Sequence, residues 1–225
     1  MQKWTIEQWH AGAQFLHSRP MSVDGIRRIS ILSFPSPTLV LGSTSADLLR
    51  SMASKNFDVV RRSSGGGKVW LDPIESTWID VTIPRSDPLW ESDLRKSFLW
   101  LGHRFKEAFN SQSIFPTVHE EPSDLGGDPE WCFSKVGAGE LSFQGKKILG
   151  ISQRRSRLAA RFQCVWYRTF DSGPFDGLDL PGIGSFDAGL KVDSDSLLQA
   201  VLTSIRNLDN HSCVKNITGR DVFVK

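Results

Sequence analysis

Three cysteines, Cys132, Cys164 and Cys213, are all that the 225-residue chain contains. They are odd in number and lack the spacing of a disulfide framework, so reduced thiols in a cytoplasmic protein are expected. No apolar run approaches membrane-spanning length. The opening MQKWTIEQWH has no apolar core of a secretory leader, and no signal peptide is expected. Neither charge sign dominates: 27 Lys and Arg stand against 25 Asp and Glu, a net charge of +2. That is too little to argue for a nucleic-acid partner. There is no internal repeat and no low-complexity segment, and tyrosine occurs once against eight tryptophans.

What is present is ordinary globular material, 39% hydrophobic and 23% charged. It is enough for a sizeable core in a single domain over residues 1–225, with a helical tail at 190–225. Residues 29–42 hold two short β-type runs broken by Pro35 and Pro37, which cannot donate to a ladder. STWIDVTIP, residues 76–84, alternates Trp78, Asp80 and Thr82 with Ile79, Val81 and Ile83, the pattern of a strand with two different faces. Leu94, Phe98, Leu101 and Phe105 recur at helical spacing and predict a helix over 93–110, with Ser92 or Asp93 as N-cap. A loop is expected over 119–130. WCF, GELSF and KKILGISQRR read as strands, the last two joined by a tight turn at Gln144-Gly145. A further strand is expected over 161–171, an irregular Gly/Pro-rich stretch over 172–189, and a second amphipathic helix over 194–208, burying Leu197, Leu198, Val201 and Ile205. The fold class is α+β, a mainly antiparallel sheet flanked by helices.

Two stretches carry chemistry. The first is RRSSGGGKVW, residues 61–70. It is not a phosphate-binding P-loop, because Arg62 stands where that motif needs glycine and Val69 where it needs Ser or Thr. No dinucleotide fingerprint opens a helix here. A glycine turn between strands is the plain structural reading. Three consecutive glycines exceed what a hairpin needs, and they open the backbone to a carboxylate or phosphate beside the donors of Arg61 and Arg62. The second stretch is GELSFQGKKILGISQRR, residues 139–155. Side chains alternate on a strand, so one of Lys146 and Lys147 points inward, and a buried lysine is costly without an anionic partner. Both lysines lying along the surface is the alternative.

Taken together, RRSSGGG and E-L-x-x-x-G-K-K-I-L-G-I-S-Q-R-R resemble the biotin/lipoate protein ligase catalytic-domain family, and within it the lipoate ligases and octanoyl or lipoyl transferases. TLVLGSTS, residues 38–45, resembles a further family segment, with Ser45 where glutamine is usual. The similarity runs from about Trp4 to about Asp171. The G-R-G-R-x-G-R loop of biotin ligases is not present.

The resemblance implies a lipoate/biotin ligase-like fold, with the acyl group or acyl-adenylate held by Arg62, Ser64, Gly65, Gly66, Gly67 and Gly150. It implies that Lys147 is the inward lysine, at the carbonyl or phosphate of the activated acyl group, with Lys146 facing outward. Its Cys-Phe step falls on Cys132-Phe133, which makes Cys132 a candidate thioester nucleophile; a small buried hydrophobe beside Trp131 is the alternative. Departures from the family pattern are Leu71-Asp72 in place of His-Asp, Lys68 in place of alanine, and Gln163-Cys164 in place of His-Gly. The implied substrates are lipoate or octanoate, without a permanent cofactor or metal site, and the implied acceptor is a lipoyl domain. Two enzymatic routes stand open: transfer from an acyl carrier protein through Cys132, or ligation with ATP and Mg. A degenerate, non-catalytic acyl or nucleotide binder is the third reading.

Overall fold

The computed structural model describes residues 3–43, 57–126, 130–169, 190 and 192–209. Its centre is the strand read from alternation, here β6 (Ser76–Pro84), the sixth of twelve among the described residues. The strands before it are β1 (Trp4–His10), β2 (Arg27–Ser33), β3 (Thr38–Leu41), β4 (Asp58–Arg61) and β5 (Val69–Leu71). Those after it are β7 (Thr117–Val118), β8 (Ser123–Asp124), β9 (Lys135–Val136), β10 (Leu141–Phe143), β11 (Lys146–Arg155) and β12 (Ala159–Tyr167). Seven of them form one sheet in the order β1-β2-β6-β12-β11-β10-β7, antiparallel except for the β1–β2 pair. A small sheet, β4-β3-β5, and the β8–β9 pair complete the strands.

Both faces of β6 are buried. Ile79, Val81 and Ile83 join Leu149, Ile151, Phe162 and Trp166 in a core covered by two helices. These are α2 (Leu99–Ser111) and α3 (Ser194–Arg206), which pack on each other, with Ser204 donating to Glu107 at 2.8 Å. Trp78, on the opposite face, joins a second core with the small sheet and α1 (Ala13–Ser18). α3 begins as expected: Asp193 accepts the N–H of Ser196 at 2.8 Å, and Leu197, Val201 and Ile205 are fully buried.

Three local expectations need correction. The 93–110 helix starts later, as a 3-10 turn at Lys96–Phe98 that continues into α2. Asp93 accepts the Arg95 N–H at 2.9 Å, so it closes a local turn instead of capping a helix, and Leu94 on that turn is 59% exposed. Leu101 and Phe105 are buried as expected, and Trp100 and Phe109 join them. WCF is not a strand: Trp131 bridges to Lys68, and Cys132–Ser134 is a 3-10 turn. A three-residue apolar run does not distinguish a strand from a buried turn. The 119–130 loop carries the short strand β8. The Gln144-Gly145 turn is confirmed, with φ of 49° and 74°, the two positive values of a tight hairpin. The irregular 172–189 stretch, Ser45, Cys213 and the end of the C-terminal tail from residue 210 lie outside the described residues. Among the described residues no helix is long and apolar enough to cross a membrane.

Candidate active site

The site lies on the face of the large sheet opposite the helices. β11 enters through the Gln144-Gly145 turn, and the alternation then sends Lys147 inward: it is 2% exposed, while Lys146 is half-exposed. An ammonium has three protons to donate. Lys147 Nζ places them on Glu140 Oε2 at 2.6 Å, Cys132 O at 3.0 Å and Lys135 O at 3.0 Å. Cys132 Sγ lies 3.8 Å from the same nitrogen, within reach of its charge. Glu140 is the anionic partner that the buried lysine requires, itself 6% exposed. Its other oxygen accepts the Ile151 N–H at 2.8 Å, and Oε2 also accepts the Gly137 N–H at 2.6 Å. The carboxylate thereby ties β11 to the segment between β9 and β10.

The glycine loop closes over this centre. Gly67 lies against the Cys132 turn: a Cβ there would sit 2.8 Å from Cys132 N and closer still to Glu130 O. Gly66 has φ of 104°, which L side chains rarely adopt, and faces the Arg62 guanidinium. Arg62 donates to Gly67 O at 3.1 Å, and its Nε, buried, has no partner among the described residues. Lys68 stitches the loop to the cysteine segment. Its N–H donates to Glu130 O at 2.6 Å, its carbonyl accepts the Cys132 N–H at 2.9 Å, and its ammonium pairs with Glu130. Ser64 accepts the Ser43 N–H through its carbonyl at 3.2 Å, while its own Oγ is buried without a partner among the described residues.

A cleft of about 400 Å³, counting its open mouth, runs beneath the loop. Val40, Val69, Leu71, Trp78 and Val165 give it apolar walls, and Cys132, Phe133, Gly150, Ser152, Gln163 and His17 also line it. An added Cβ at Gly150 would meet the Phe133 ring at 3.1 Å, so glycine there keeps this wall close. Of the residues expected to bind an acyl or nucleotide group, Arg62 and Gly150 line the cleft together with Cys132. Gly65, Gly66, Gly67 and Ser64 belong to the loop around it, and Lys147 lies behind the Cys132 turn. Leu71, where the family pattern has histidine, is part of the apolar wall. Cys164 is fully buried and its thiol is pushed well up by burial, which makes it a core residue.

Sequence reasoning missed Glu140, Gln163 and His17. Glu140 was within reach of it, since the hairpin turn places GELSF beside KKILG and the buried lysine called for an acid. His17 carried no signal: it lies on a six-residue helix, and only the fold brings it to Trp78 and Gln163.

Residues 23–181 match the model of the lipoyl protein ligase A/B catalytic domain. Among solved structures, the chain is similar to a protein of T. acidophilum described as a lipoate protein ligase, with bound lipoic acid. The identity is 14%, covering 90% of this chain and 83% of that one, with a TM-score of 0.67. It is likewise similar to a lipoate-protein ligase A bound with ATP (14% identity, 90% and 84% covered, TM-score 0.66). A third is the bi-partite lipoate protein ligase of Thermoplasma acidophilum, studied with its E2 lipoyl domain (12% identity, 91% and 83% covered, TM-score 0.61). No curated protein sequence matches the chain.

Proposed function

This chain belongs to the lipoyl protein ligase A/B catalytic-domain family, enzymes of the lipoyl ligase and transferase class, and we propose that it joins a lipoyl or octanoyl group to a lysine of a lipoyl domain through a thioester on Cys132. The observation that carries this reading is the placement of Cys132 in the cleft lining with its Sγ 3.8 Å from Lys147 Nζ. A cysteine buried for packing alone would need neither the cleft nor the ammonium.

In the first step the Cys132 thiolate attacks the carbonyl of a carrier-bound thioester. The S–C bond to Cys132 forms, the bond to the carrier sulfur breaks, and the carrier leaves as a thiol carrying the proton given up by Cys132. In the second step the neutral amine of the acceptor lysine attacks the Cys132 thioester, an amide forms, the amine's proton goes to solvent, and Sγ leaves as thiolate. The protons of Lys147 are engaged by Glu140 and two carbonyls, so its contribution is to hold the Cys132 turn in place, with no proton free for the acyl oxygen. Glu140 fixes the ammonium; Arg62, Ser64, Gly65, Gly66, Gly67 and Gly150 form the loop and wall that hold the acyl group. The whole machinery falls within one domain, as the resemblance from Trp4 to Asp171 implies.

The second reading is ATP-dependent ligation through an acyl-adenylate. It is favoured by the buried Arg62 Nε at the cleft, a ready partner for a phosphate, and by the solved relatives with lipoic acid or ATP. Incubation with octanoyl carrier protein and an apo lipoyl domain, set against lipoate, ATP and Mg with the same acceptor, separates the two. Transfer from the carrier without ATP, lost in Cys132→Ser, is the expected result. ATP-dependent acylation that survives Cys132→Ser would place the ligase reading first.

A further inference from the structure

His17 lies outside the machinery assigned above, yet it lines the same cleft. The register pairs Gly150 with Val165 and Ser152 with Gln163. The Ser152–Gln163 row therefore lies two residues, about 7 Å, beyond the row that packs on Phe133. An acyl chain attached at Cys132 and running along this wall directs its far half toward Gln163 and His17.

The histidine is held from three sides. Its ring stacks on Trp78 with centroids 4.4 Å apart, its carbonyl accepts from Arg161 at 3.1 Å, and Nδ1 meets the Gln163 amide nitrogen at 3.4 Å. An amide nitrogen only donates, so the Gln163 contact makes Nδ1 the unprotonated ring nitrogen. The proton then sits on Nε2. That atom is buried and has no partner among the described residues, in a side chain 7% exposed. Burial, with the charges of Arg62, Arg161 and Arg19, pushes the pKa down to about 3, so the ring stays a neutral donor at working pH.

We propose that His17 Nε2–H is the specificity-determining donor for the far half of the bound acyl chain, favouring a lipoyl group over octanoyl. This rests on the acyl-site reading above. The dithiolane sulfurs of a lipoyl group are polarizable acceptors that can take the proton. An octanoyl chain buries the same N–H against methylenes and leaves it unpaired. A wall meant for hydrocarbon alone would resemble the helix side of the sheet, where Ile, Leu and Phe predominate.

Free lipoate and octanoate, titrated separately into the intact protein by calorimetry, test this. The wild type should bind lipoate about tenfold more tightly, the scale of one donor left unpaired by the poorer ligand. His17→Leu should bring the ratio near one, mainly by strengthening octanoate, and His17→Gln, which retains a donor, should preserve part of the preference. An unchanged ratio in His17→Leu, or no preference in the wild type, would overturn the inference. Should His17→Leu fail to fold, the wild-type imidazole NMR signals decide: the Nε2 proton should shift with lipoate and not with octanoate, and equal shifts would overturn it. If neither acid binds and Cys132 is not acylated by a carrier thioester, the acyl-site reading itself falls, and the inference with it.

Discussion

On β6 the side chains of Ile79 and Val81 enter the core beneath α2 and α3, while those of Trp78 and Asp80, one residue away, lie on the cleft face. β12 repeats the division: Phe162, Cys164 and Trp166 face the helices, and Arg161, Gln163 and Val165 alternate with them. The helix face is largely apolar and is held mainly by burial, with one buried ion pair, Arg27 to Asp87 at 2.6 Å, on the same side. The cleft face buries Asp80 with Arg19 at 2.9 Å and Arg161 at 3.7 Å, and Arg161 in turn holds the carbonyls of Arg19 and His17. Buried charge is an inefficient way to stabilise a fold. Its concentration on one side of a shared set of strands marks that side as the one whose geometry matters, and the other as the support.

The comparison is tested most severely by substitutions that affect only one of activity and stability. Cys132→Ser should reduce carrier-dependent transfer by up to about 10⁶-fold, the scale set by loss of a nucleophile elsewhere, with thermal stability almost unchanged because the side chain is half-exposed. Glu140→Ala should affect both: it strands the buried Lys147 charge and should cost about 3–5 kcal/mol in denaturant unfolding, with transfer falling as the Cys132 turn loosens. Phe105→Ala, on the helix face, should cost a similar ~3–5 kcal/mol, while activity per folded molecule stays at the wild-type level. Equal activity losses for Phe105→Ala and Glu140→Ala would erase the distinction between the faces.

A smaller effect separates the faces by pH. Burial holds the His17 pKa at about 3 in the fold, against the 6.5 of a freely exposed imidazole. Below about 6.5 the unfolded chain takes up a proton that the folded chain refuses, so stability is full above that pH and falls as pH drops toward 3, by about 1.4 kcal/mol per unit. Urea unfolding at stepped pH should show this slope in the wild type and not in His17→Leu. Comparing the two cancels the opposite contribution of Asp80, whose carboxyl burial pushes up. The smallest effect is expected at Leu94: Leu94→Ser on its exposed turn should change stability by under about 0.5 kcal/mol.

The sequence made the support side legible because periodicity reports burial on one face of an element. β6, β11, β12 and α3 follow their patterns, and the tight hairpin follows from Gln144-Gly145. Leu94 misled because it matches the helical spacing of α2 while lying one turn before the helix begins. Of the residues gathered at the candidate site, Arg62, Gly65–Gly67, Cys132 and Lys147 stand in contiguous motifs that the sequence singles out. Glu140 could be read only through the hairpin that sets it beside the buried lysine, and His17 could not be read at all, because a histidine on a short helix reaches Trp78 and Gln163 only through the fold.

The central claim is that Cys132 carries the acyl group. Intact-protein and peptide mass spectrometry after brief mixing with octanoyl carrier protein, without ATP and without a lipoyl-domain acceptor, tests it directly. The account predicts a gain of one octanoyl group on the Cys132 peptide, absent in Cys132→Ser and discharged when an apo lipoyl domain is added. An unmodified Cys132 peptide, in a preparation that nonetheless acylates the lipoyl domain, would contradict it.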